Sequence, residues 1–291
     1  MNLDTIEALV RGHFEPLQYA AFFAVFVFLG CIELVAPLGR DSIDRRRRWP
    51  ANGGLTVLNI LVLGAMPVGI VAAADHAAVQ GWGLLNLAVV PPALALGAGF
   101  LLRTLLGYFI HVAMHRVPLL WRIHRVHHTD VQMDVSTTVR FHPLELVVSM
   151  PVLLGMAVLR GIPPLALILY ELLDTAMAVF THANIRLPDP VDRALRLVLV
   201  TPAMHRLHHS AHQPETDGNY GAMLTWWDRL FGTYRVRPPA EIGAIRLGLD
   251  EWPDRRVASL WWLLRLPFAA AGRARPVPPP GQTHGAAGGA A

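Results

Sequence analysis

Residues 111–128 read HVAMHRVPLLWRIHRVHH, and residues 204–212 read MHRLHHSAH. Each stretch contains the spacing HxxHH, and the first also contains HxxxH. Because positions i, i+3 and i+4 of a helix share one face, each HxxHH triplet is expected to point three imidazoles at one place. The eight histidines of these motifs exceed the four to six ligands that one first-row metal ion takes. The pattern therefore predicts two metal ions held between helices, since a proton relay needs a chain of groups and not repeated triplets.

The composition indicates an integral membrane protein. Of the 291 residues, 53% are hydrophobic and only 16% are charged, and the apolar residues form runs long enough to cross a bilayer. The chain has a single cysteine, Cys31, in the first run. Because one cysteine is too few, an intrachain disulfide, a thiolate-ligated zinc and an iron–sulfur cluster are excluded. The pI is about 9.8, but the arginines cluster beside apolar runs, where anionic lipids explain them, so nucleic-acid binding is not expected.

The apolar runs predict an all-α helical bundle with about four membrane spans and one short or re-entrant helix. Pro91 and Pro92 are expected to break the third run into a short re-entrant piece and a helix that ends with His111 and His115. The Gly/Pro-rich residues 160–164 predict a tight helical hairpin between the last two runs. The runs cover residues 17–38, 55–74, 84–110, 144–159 and 165–180.

The arginines predict the orientation of the bundle. Arg40 and the run 45–48 follow the first apolar run, which places that loop in the cytoplasm, and we interpret these arginines as topological signals. The loop at 75–81 has no Lys or Arg, so the third run is expected to return to the cytoplasm. Counting the remaining runs brings all the histidine motifs to the cytosolic face of a bacterial inner-membrane protein.

Three parts of the chain are expected. Residues 1–182 are predicted to form a transmembrane helical domain that includes the first histidine motifs. Residues 183–271 are predicted to form a cytosolic, histidine-rich helical cap with the last motif and an interfacial helix at 259–268. Residues 272–291, rich in Pro, Gly and Ala, are predicted to be a disordered tail.

The histidine motifs favour a redox metal over a hydrolytic one. A zinc-protease helix needs Glu directly after its first histidine, and Val112 cannot act as that base. Imidazole suits iron, copper and zinc alike, so the ligand type does not choose the metal. A metal pair at a membrane face can meet a lipid chain, and the C–H bonds of such a chain yield only to strong oxidants made from O₂.

Further motifs follow the histidines in a fixed order. They are Arg140-Phe-His-Pro-Leu-Glu145, Thr181-His-Ala-Asn184, Asp217-Gly-Asn-Tyr-Gly221 and Trp227-Asp-Arg-Leu-Phe-Gly-Thr233. With these motifs, residues 97–235 resemble the fatty acid hydroxylase superfamily, which includes sterol desaturases, carotenoid hydroxylases and lipid hydroxylases. The resemblance implies a membrane-bound non-haem di-iron oxygenase. Such enzymes use O₂ and two external electrons to hydroxylate or desaturate a fatty acyl, sterol or related lipid.

The resemblance also implies a set of metal ligands. His182 ends an apolar run at the mouth where the motifs converge and is expected to be a ninth ligand, although such a histidine can also simply bond a free carbonyl. Two iron ions are implied, and zinc is the ion expected to replace them in a crystal. The expected ligands are His111, His115, His124, His127, His128, His182, His205, His208 and His209.

Further residues are candidates for an additional ligand or for supporting the ligands. These are His142, His212, Asp174, Asp217, Asn219 and Tyr220. Alternatively, His142 only caps a helix and His212 is a surface residue. Asp174, in the fifth run, either orients His182 or belongs to a buried polar pair with Glu171. The last three residues either hydrogen-bond near the ligands or only shape a turn.

The leading functional prediction is a lipid hydroxylase or desaturase with a separate electron donor. The chain has no dinucleotide-binding fingerprint and no cysteine set for a cluster, so a ferredoxin-like or similar acidic carrier is expected to supply the electrons. The alternatives are a non-catalytic membrane protein that binds or transports metal, and a zinc-dependent membrane hydrolase. Transport is disfavoured because few ionisable residues, among them Glu33, Glu171 and Asp174, lie within the apolar runs, which is too few for a pathway through the spans. Hydrolysis is disfavoured because the adjacent Glu is missing.

Overall fold

The computed structural model describes residues 3–39, 45–87, 90–252 and 255–270. Over these residues the protein is all-α, as predicted, with isolated β-bridges and no strand. The tail predicted at 272–291 lies outside the described residues. The helices are α1 Leu3–Gly12, α2 Phe14–Val35, α3 Arg45–Gly64, α4 Ile70–Val79, α5 Leu84–Leu87, α6 Pro92–Arg116, α7 Pro118–His128, α8 Pro143–Arg160, α9 Pro164–His182, α10 Asp189–Leu195, α11 Pro202–His208, α12 Gln213–Thr216, α13 Trp226–Leu230, α14 Pro239–Ile242 and α15 Leu260–Arg265, with 3₁₀ helices at Val135–Val139, Arg255–Ala258 and Leu266–Phe268.

Among the described residues, four helices are long and apolar enough to cross a membrane. They are α2, α6, α8 and α9, which have 22, 25, 18 and 19 residues. A bilayer core of about 30 Å needs roughly 20 residues of helix, so each can cross with little adjustment. The prediction of a bundle with about four spans is confirmed.

The run at 55–74, predicted as one span, is divided into two helices. α3 ends at Gly64 and α4 begins at Ile70. Pro67 lies in the break, where it lacks a backbone N–H and disfavours a helical conformation at Met66. The second run therefore forms two shorter helices, and α3 starts ten residues earlier than the run, at Arg45.

The third run is interrupted at its proline pair, as predicted. The one-turn helix α5 precedes the break, and α6 begins at Pro92, where a missing N–H costs nothing. α6 then passes close to the α8–α9 turn: a Cβ added at Gly99 would lie 2.8 Å from Cδ of Pro163. The turn itself contains Gly161 at φ 65°, the left-handed conformation that glycine adopts at little cost. The predicted helical hairpin is thus formed by α8 and α9.

A buried carboxylate joins the helix ends at which the histidines lie. Glu33, near the end of α2, accepts the backbone N–H of Val135 at 2.8 Å and that of Asn184 at 2.7 Å. Its second oxygen accepts a hydrogen bond from Arg45 at 2.7 Å. The C-terminal ends of α2 and α9 are therefore held together with the 3₁₀ helix at Val135–Val139.

Arg48 forms the centre of a second buried network. Its guanidinium, 2% exposed, donates to Asp130 at 2.6 and 2.5 Å and to Asp134 at 2.9 Å. Asp130 also accepts the hydroxyl of Thr137 at 2.9 Å. This arginine, interpreted from the sequence as a topological signal, also joins the start of α3 to the segment that follows α7.

The C-terminal segment packs against α3 and α7. Leu263 and Leu266 are buried in a core with Leu55 and Val126, whereas Trp261 is 63% exposed and Phe268 is 72% exposed. This arrangement gives α15 and its 3₁₀ extension one buried face and one exposed apolar face, as the predicted interfacial helix requires.

The segment predicted as a cap also lies along the side of a candidate span. Trp227 in α13 donates its indole N–H to the hydroxyl of Thr104 in α6 at 3.1 Å. Thr104 precedes His111 by about two helical turns. The segment therefore covers both the end of the bundle and part of its side.

Candidate metal centre

The histidines reach the centre from four helices. α6 contributes His111 and His115 from its last turns. α7 starts at Pro118, directly after α6, and contributes His124, His127 and His128. α9 contributes its last residue, His182. α11 is initiated by Thr201, whose hydroxyl accepts the N–H of Met204 at 3.4 Å.

Two groups of histidines form the centre, and each could hold one metal ion. Within each group the donor nitrogens lie within 4.8 Å of one another. The groups adjoin, since the rings of His128 and His209 stack at 4.5 Å. The first cluster comprises His111, His115, His124, His128 and His208, and the second cluster comprises His127, His182, His205 and His209.

Each HxxHH triplet is divided between the clusters instead of pointing at one place. In α7, His124 and His128 face the first cluster and His127 faces the second. In the α11 triplet the assignment is reversed: His205 and His209 face the second cluster and His208 faces the first. The reason is geometric, because residues i+3 and i+4 differ by about 100° around a helix, so one triplet can serve two adjacent sites.

Hydrogen bonds fix the tautomer of four of these rings. The Nδ1–H of His111 donates to the carbonyl of Tyr220, that of His182 to the carbonyl of Ala178, and that of His208 to the carbonyl of Gly218, each at 2.7 Å. Nδ1 of His124 donates to a carboxylate oxygen of Glu145 at 2.9 Å. A carbonyl or carboxylate oxygen only accepts, so Nδ1 carries the proton, and Nε2 of a neutral ring is a bare lone pair.

The bare nitrogens face one another. Nε2 of His111 and Nε2 of His124 are 3.2 Å apart, although neither carries a proton to donate. Nε2 of His208 is buried and has no hydrogen-bond partner among the described residues. Two facing lone pairs in a buried site repel unless a cation lies between them. For nitrogens about 2.0–2.1 Å from one metal ion, separations of about 3.0–3.4 Å are expected, so the residues fit a bound metal.

The second cluster has the same spacing. Nε2 of His182 lies 3.1 Å from Nε2 of His127 and 3.0 Å from Nε2 of His205. Both ring nitrogens of His209 are buried without a hydrogen-bond partner in the described part of the chain. Buried polar atoms are nearly always paired, so this group of unpaired imidazoles also fits an ion.

Burial keeps imidazoles on α7 and around α11 neutral. The pKa values of His127, His128, His205 and His209 lie well below the ordinary value of histidine. Burial is the larger cause, and repulsion from neighbouring imidazoles is the second. Burial lowers the pKa of His208 to about 3. Neutral imidazole is the form that binds metal, so the site is ready to accept an ion at neutral pH.

The two other candidate histidines lie outside both clusters. His142 is the N-cap of α8: its Nδ1 accepts the N–H of Leu144 at 3.1 Å, and its Nε2 donates to the carbonyl of Leu264 at 3.2 Å. Both ring nitrogens are therefore occupied by the protein. His212 is exposed and precedes α12.

The four remaining candidates lie around the clusters in different roles. Asp174 accepts the hydroxyl of Tyr170 at 2.9 Å and does not contact His182, whose Nδ1 is bonded to its own helix. Asp217 places Oδ1 3.6 Å from Nδ1 of His115. Asn219 has φ 55° and holds the loop through Arg235, whose N–H it accepts at 2.8 Å.

Tyr220, a candidate from the Asp-Gly-Asn-Tyr-Gly motif, is held beside the first cluster by Asp228, which residue spacing did not indicate. The carbonyl of Tyr220 orients His111, and its ring lies 5.1 Å from that of His115. The carboxylate of Asp228 accepts the N–H groups of Tyr220 and Gly221, each at 2.8 Å. Burial raises the pKa of Asp228. For Asp228, the Trp-Asp-Arg-Leu-Phe-Gly-Thr motif was the only signal in the sequence.

A largely apolar cavity of about 260 Å³ opens from the histidines into the bundle. Its wall includes His111, His124, His182 and Phe141, whose ring stacks on that of His127 at 4.3 Å. A chain that enters this cavity would therefore lie beside donor nitrogens of both clusters.

The sequence model of the fatty acid hydroxylase family matches residues 96–233, which contain every histidine of both clusters. The family resemblance predicted from the histidine spacing and the later motifs is confirmed. No solved structure matches the chain significantly.

Among curated proteins, the matching part of the chain is similar to lipid-modifying enzymes. The chain is 31% identical to the ornithine lipid hydroxylase of Rhizobium tropici over 131 residues, which are 45% of this chain and 39% of that protein. It is 30% identical to the alkylglycerol monooxygenase of Homo sapiens over 130 residues, which are 44% of this chain and 28% of that protein. The match therefore spans well under half the length of either relative.

Proposed function

We propose that this protein is a membrane-bound di-iron oxygenase that hydroxylates a C–H bond of a lipid. The observation that carries the proposal is the pair of bare nitrogens of His111 and His124, 3.2 Å apart within two adjoining clusters of buried histidines. The names of the relatives, hydroxylase and monooxygenase, favour an alcohol over an alkene as the product. The overall reaction is R–H + O₂ + 2 e⁻ + 2 H⁺ → R–OH + H₂O.

Iron is the proposed metal. Two bound iron ions would supply the redox chemistry that activates O₂, with the nine histidines of the two clusters as their ligands. Zinc would satisfy the same nitrogens but cannot change its oxidation state. No carboxylate or other base stands beside the first histidine of α6, where Val112 follows, so hydrolysis has no support.

The protein's own residues position the substrate and exclude water. The wall of the cavity is mainly apolar, which favours a lipid chain and keeps water from the clusters. The hydrogen bonds of Glu145 and of three backbone carbonyls hold the imidazoles in fixed orientations, so little reorganisation is needed when metal binds.

We place the metal centre at the cytosolic face of the membrane. The support is the run of arginines at 45–48, which follows the first span, and the common end at which α2 and α9 finish. We propose a bacterial inner membrane as the location.

The electrons would arrive from a separate acidic carrier at the α6–α7 corner. The ring of Trp121 lies 5.0 Å from that of His115 and 5.4 Å from that of His128, and the residue is partly exposed. Beside it, Leu119 is 68% exposed and Arg116 is also exposed. This corner offers a carrier both apolar surface and positive charge close to the first cluster.

The test is to replace one ligand of each cluster. His127→Ala and His208→Ala should each abolish conversion of a lipid while the protein remains in the membrane, and each should lower the metal content. His212→Ala is the matched control, because it removes an exposed imidazole outside both clusters and should leave both measurements unchanged. Wild-type protein that holds zinc alone and consumes no O₂ when loaded with iron and reduced would overturn the proposal and favour a metal carrier or a zinc hydrolase.

A further inference from the structure

The cavity beside the histidines adjoins a second one deeper in the bundle. The second cavity, of about 510 Å³, extends between the start of α2, the end of α3 and α8. Both cavities are lined by Arg103, Ser149 and Leu153, so they meet at this point. Arg103 precedes His111 by eight residues, which places the meeting point about 12 Å along α6 from the first cluster.

A group of polar side chains lies where the cavities meet, and we call it the polar junction: Arg103, Tyr170, Glu171 and Asp174. The guanidinium of Arg103 donates to Glu171 at 2.9 Å and lies over the ring of Tyr170 at 4.0 Å. The hydroxyl of Tyr170 donates to Asp174 at 2.9 Å. Each member is therefore held in place by another member.

The polar junction contains one more carboxyl group than it has guanidinium groups. Arg103 pairs with Glu171, whereas Asp174 forms no ion pair within the described part of the chain and has only the Tyr170 hydroxyl as a hydrogen-bond donor. An acidic residue in the centre of a span costs about 2.5–3.5 kcal/mol on insertion scales, so a function or a partner is expected. A purely structural role, joining α6 to α9, is sufficient to explain the Arg103–Glu171 pair, but it does not explain Asp174.

We propose that Asp174 binds a hydrogen-bond donor of the substrate, either a hydroxyl or an ammonium group. This inference rests on the proposed function and names its substrate class: an amphiphile with a donor group about 12 Å from the carbon that is oxidised. The distance follows from the eight residues between Asp174 and His182 on α9. Asp174 faces the same cavity as the histidines, so one substrate molecule can reach both.

The apolar walls alone would not select such a lipid. A polar anchor in an otherwise apolar cavity fixes the position of a chain along the cavity, because sliding the chain would leave the carboxyl group without its partner. Asp174 would therefore determine which carbon lies beside the clusters, and it would act on substrate position and not on the chemical step.

The test measures binding and needs no turnover. Zinc-loaded full-length protein in nanodiscs is titrated with hexadecan-1-ol, hexadecylamine and hexadecyl methyl ether, three probes that differ in the donor group. The wild type should bind the alcohol or the amine at least tenfold more tightly than the ether, since a hydrogen bond to a charged group is worth about 1.4 kcal/mol or more. Asp174→Asn, which keeps the shape of the side chain, should reduce that preference to less than about threefold.

A matched control separates recognition from folding. Leu173→Ala changes the neighbouring residue of the same helix, which is 50% exposed on the outside of the bundle, and should keep the wild-type preference. Equal binding of the three probes by the wild type, an unchanged preference in Asp174→Asn, or an equal loss of affinity for all probes in that variant would overturn the inference. A retained preference in protein that never oxygenates a lipid would count against the proposed function and not against the binding site.

Discussion

Replacing Arg48 tests whether the arginines at the start of α3 do more than orient the protein in the membrane. Arg48→Met removes a guanidinium that is 2% exposed and leaves two carboxylates, Asp130 and Asp134, buried without the cation closest to them. Asp130 follows His128 by two residues, so loss of the network should also disturb the end of α7.

The magnitude follows from the geometry of the pair. Burial opposes ionisation of Asp130, but the guanidiniums of Arg48 and Arg140 hold its pKa below the ordinary value, so the carboxylate is charged at neutral pH. Removing one partner of such a buried pair costs about 3–5 kcal/mol, because the remaining charge stays desolvated. For a protein of this size that loss corresponds to a decrease of about 10 °C in the unfolding temperature.

The assay compares matched variants in detergent. Arg46→Met makes the same change of charge two residues earlier on an exposed side chain and should shift the unfolding temperature by less than about 2 °C. The double variant Arg48→Met with Asp130→Asn should recover part of the loss, with a coupling of about 1–3 kcal/mol. Equal effects of Arg46→Met and Arg48→Met would refute the structural role and restore the purely topological interpretation.

Three further predictions concern the centre and its surroundings. The metal-free protein should lose stability as the pH falls below about 6.5, because histidines whose folded-state pKa is lowered bind fewer protons in the folded protein than in the unfolded chain. Each such histidine would cost about 2 kcal/mol of stability at pH 5, and thermal unfolding of apo protein at pH 5 and 7 measures this loss. Asp228→Ala should reduce stability by about 1–3 kcal/mol and weaken metal binding, because the N–H groups of Tyr220 and Gly221 lose their acceptor; metal titration and thermal unfolding check both effects. Trp121→Leu should slow reduction by an acidic protein donor more than reduction by dithionite, and high salt should slow only the former, as stopped-flow kinetics would show.

The convergence of the histidines could be predicted because histidine spacing on a helix is a short-range property. The i, i+3 and i+4 relations in α7 and α11 need no knowledge of the rest of the fold, and a motif written twice reduces the chance of coincidence. The apolar runs were equally readable, since length and composition alone predict a span. The proline breaks were readable at Pro91 and Pro92 but were overlooked at Pro67, where the apolar run continues through the break.

What sequence patterns did not predict are the contacts between distant segments. The pairing of Arg48 with Asp130 joins residues 82 positions apart, and the contact between Thr104 and Trp227 joins residues 123 positions apart. Such pairs depend on how the helices pack, which periodicity does not contain. The same limit explains why the sequence left two roles open for Asp174, orienting His182 or forming a buried polar pair with Glu171. Its hydrogen-bond donor in the structure is Tyr170, one turn earlier.

The division of each HxxHH triplet between two clusters couples the two proposed ions. α7 gives its i, i+4 pair to the first cluster and its i+3 histidine to the second, while α11 and the residue after it do the reverse. A rotation of either helix would therefore move donors of both clusters together. We therefore expect a displacement of either helix to affect both sites, which is a physical reason for a triplet where each helix could serve one ion with a pair of histidines.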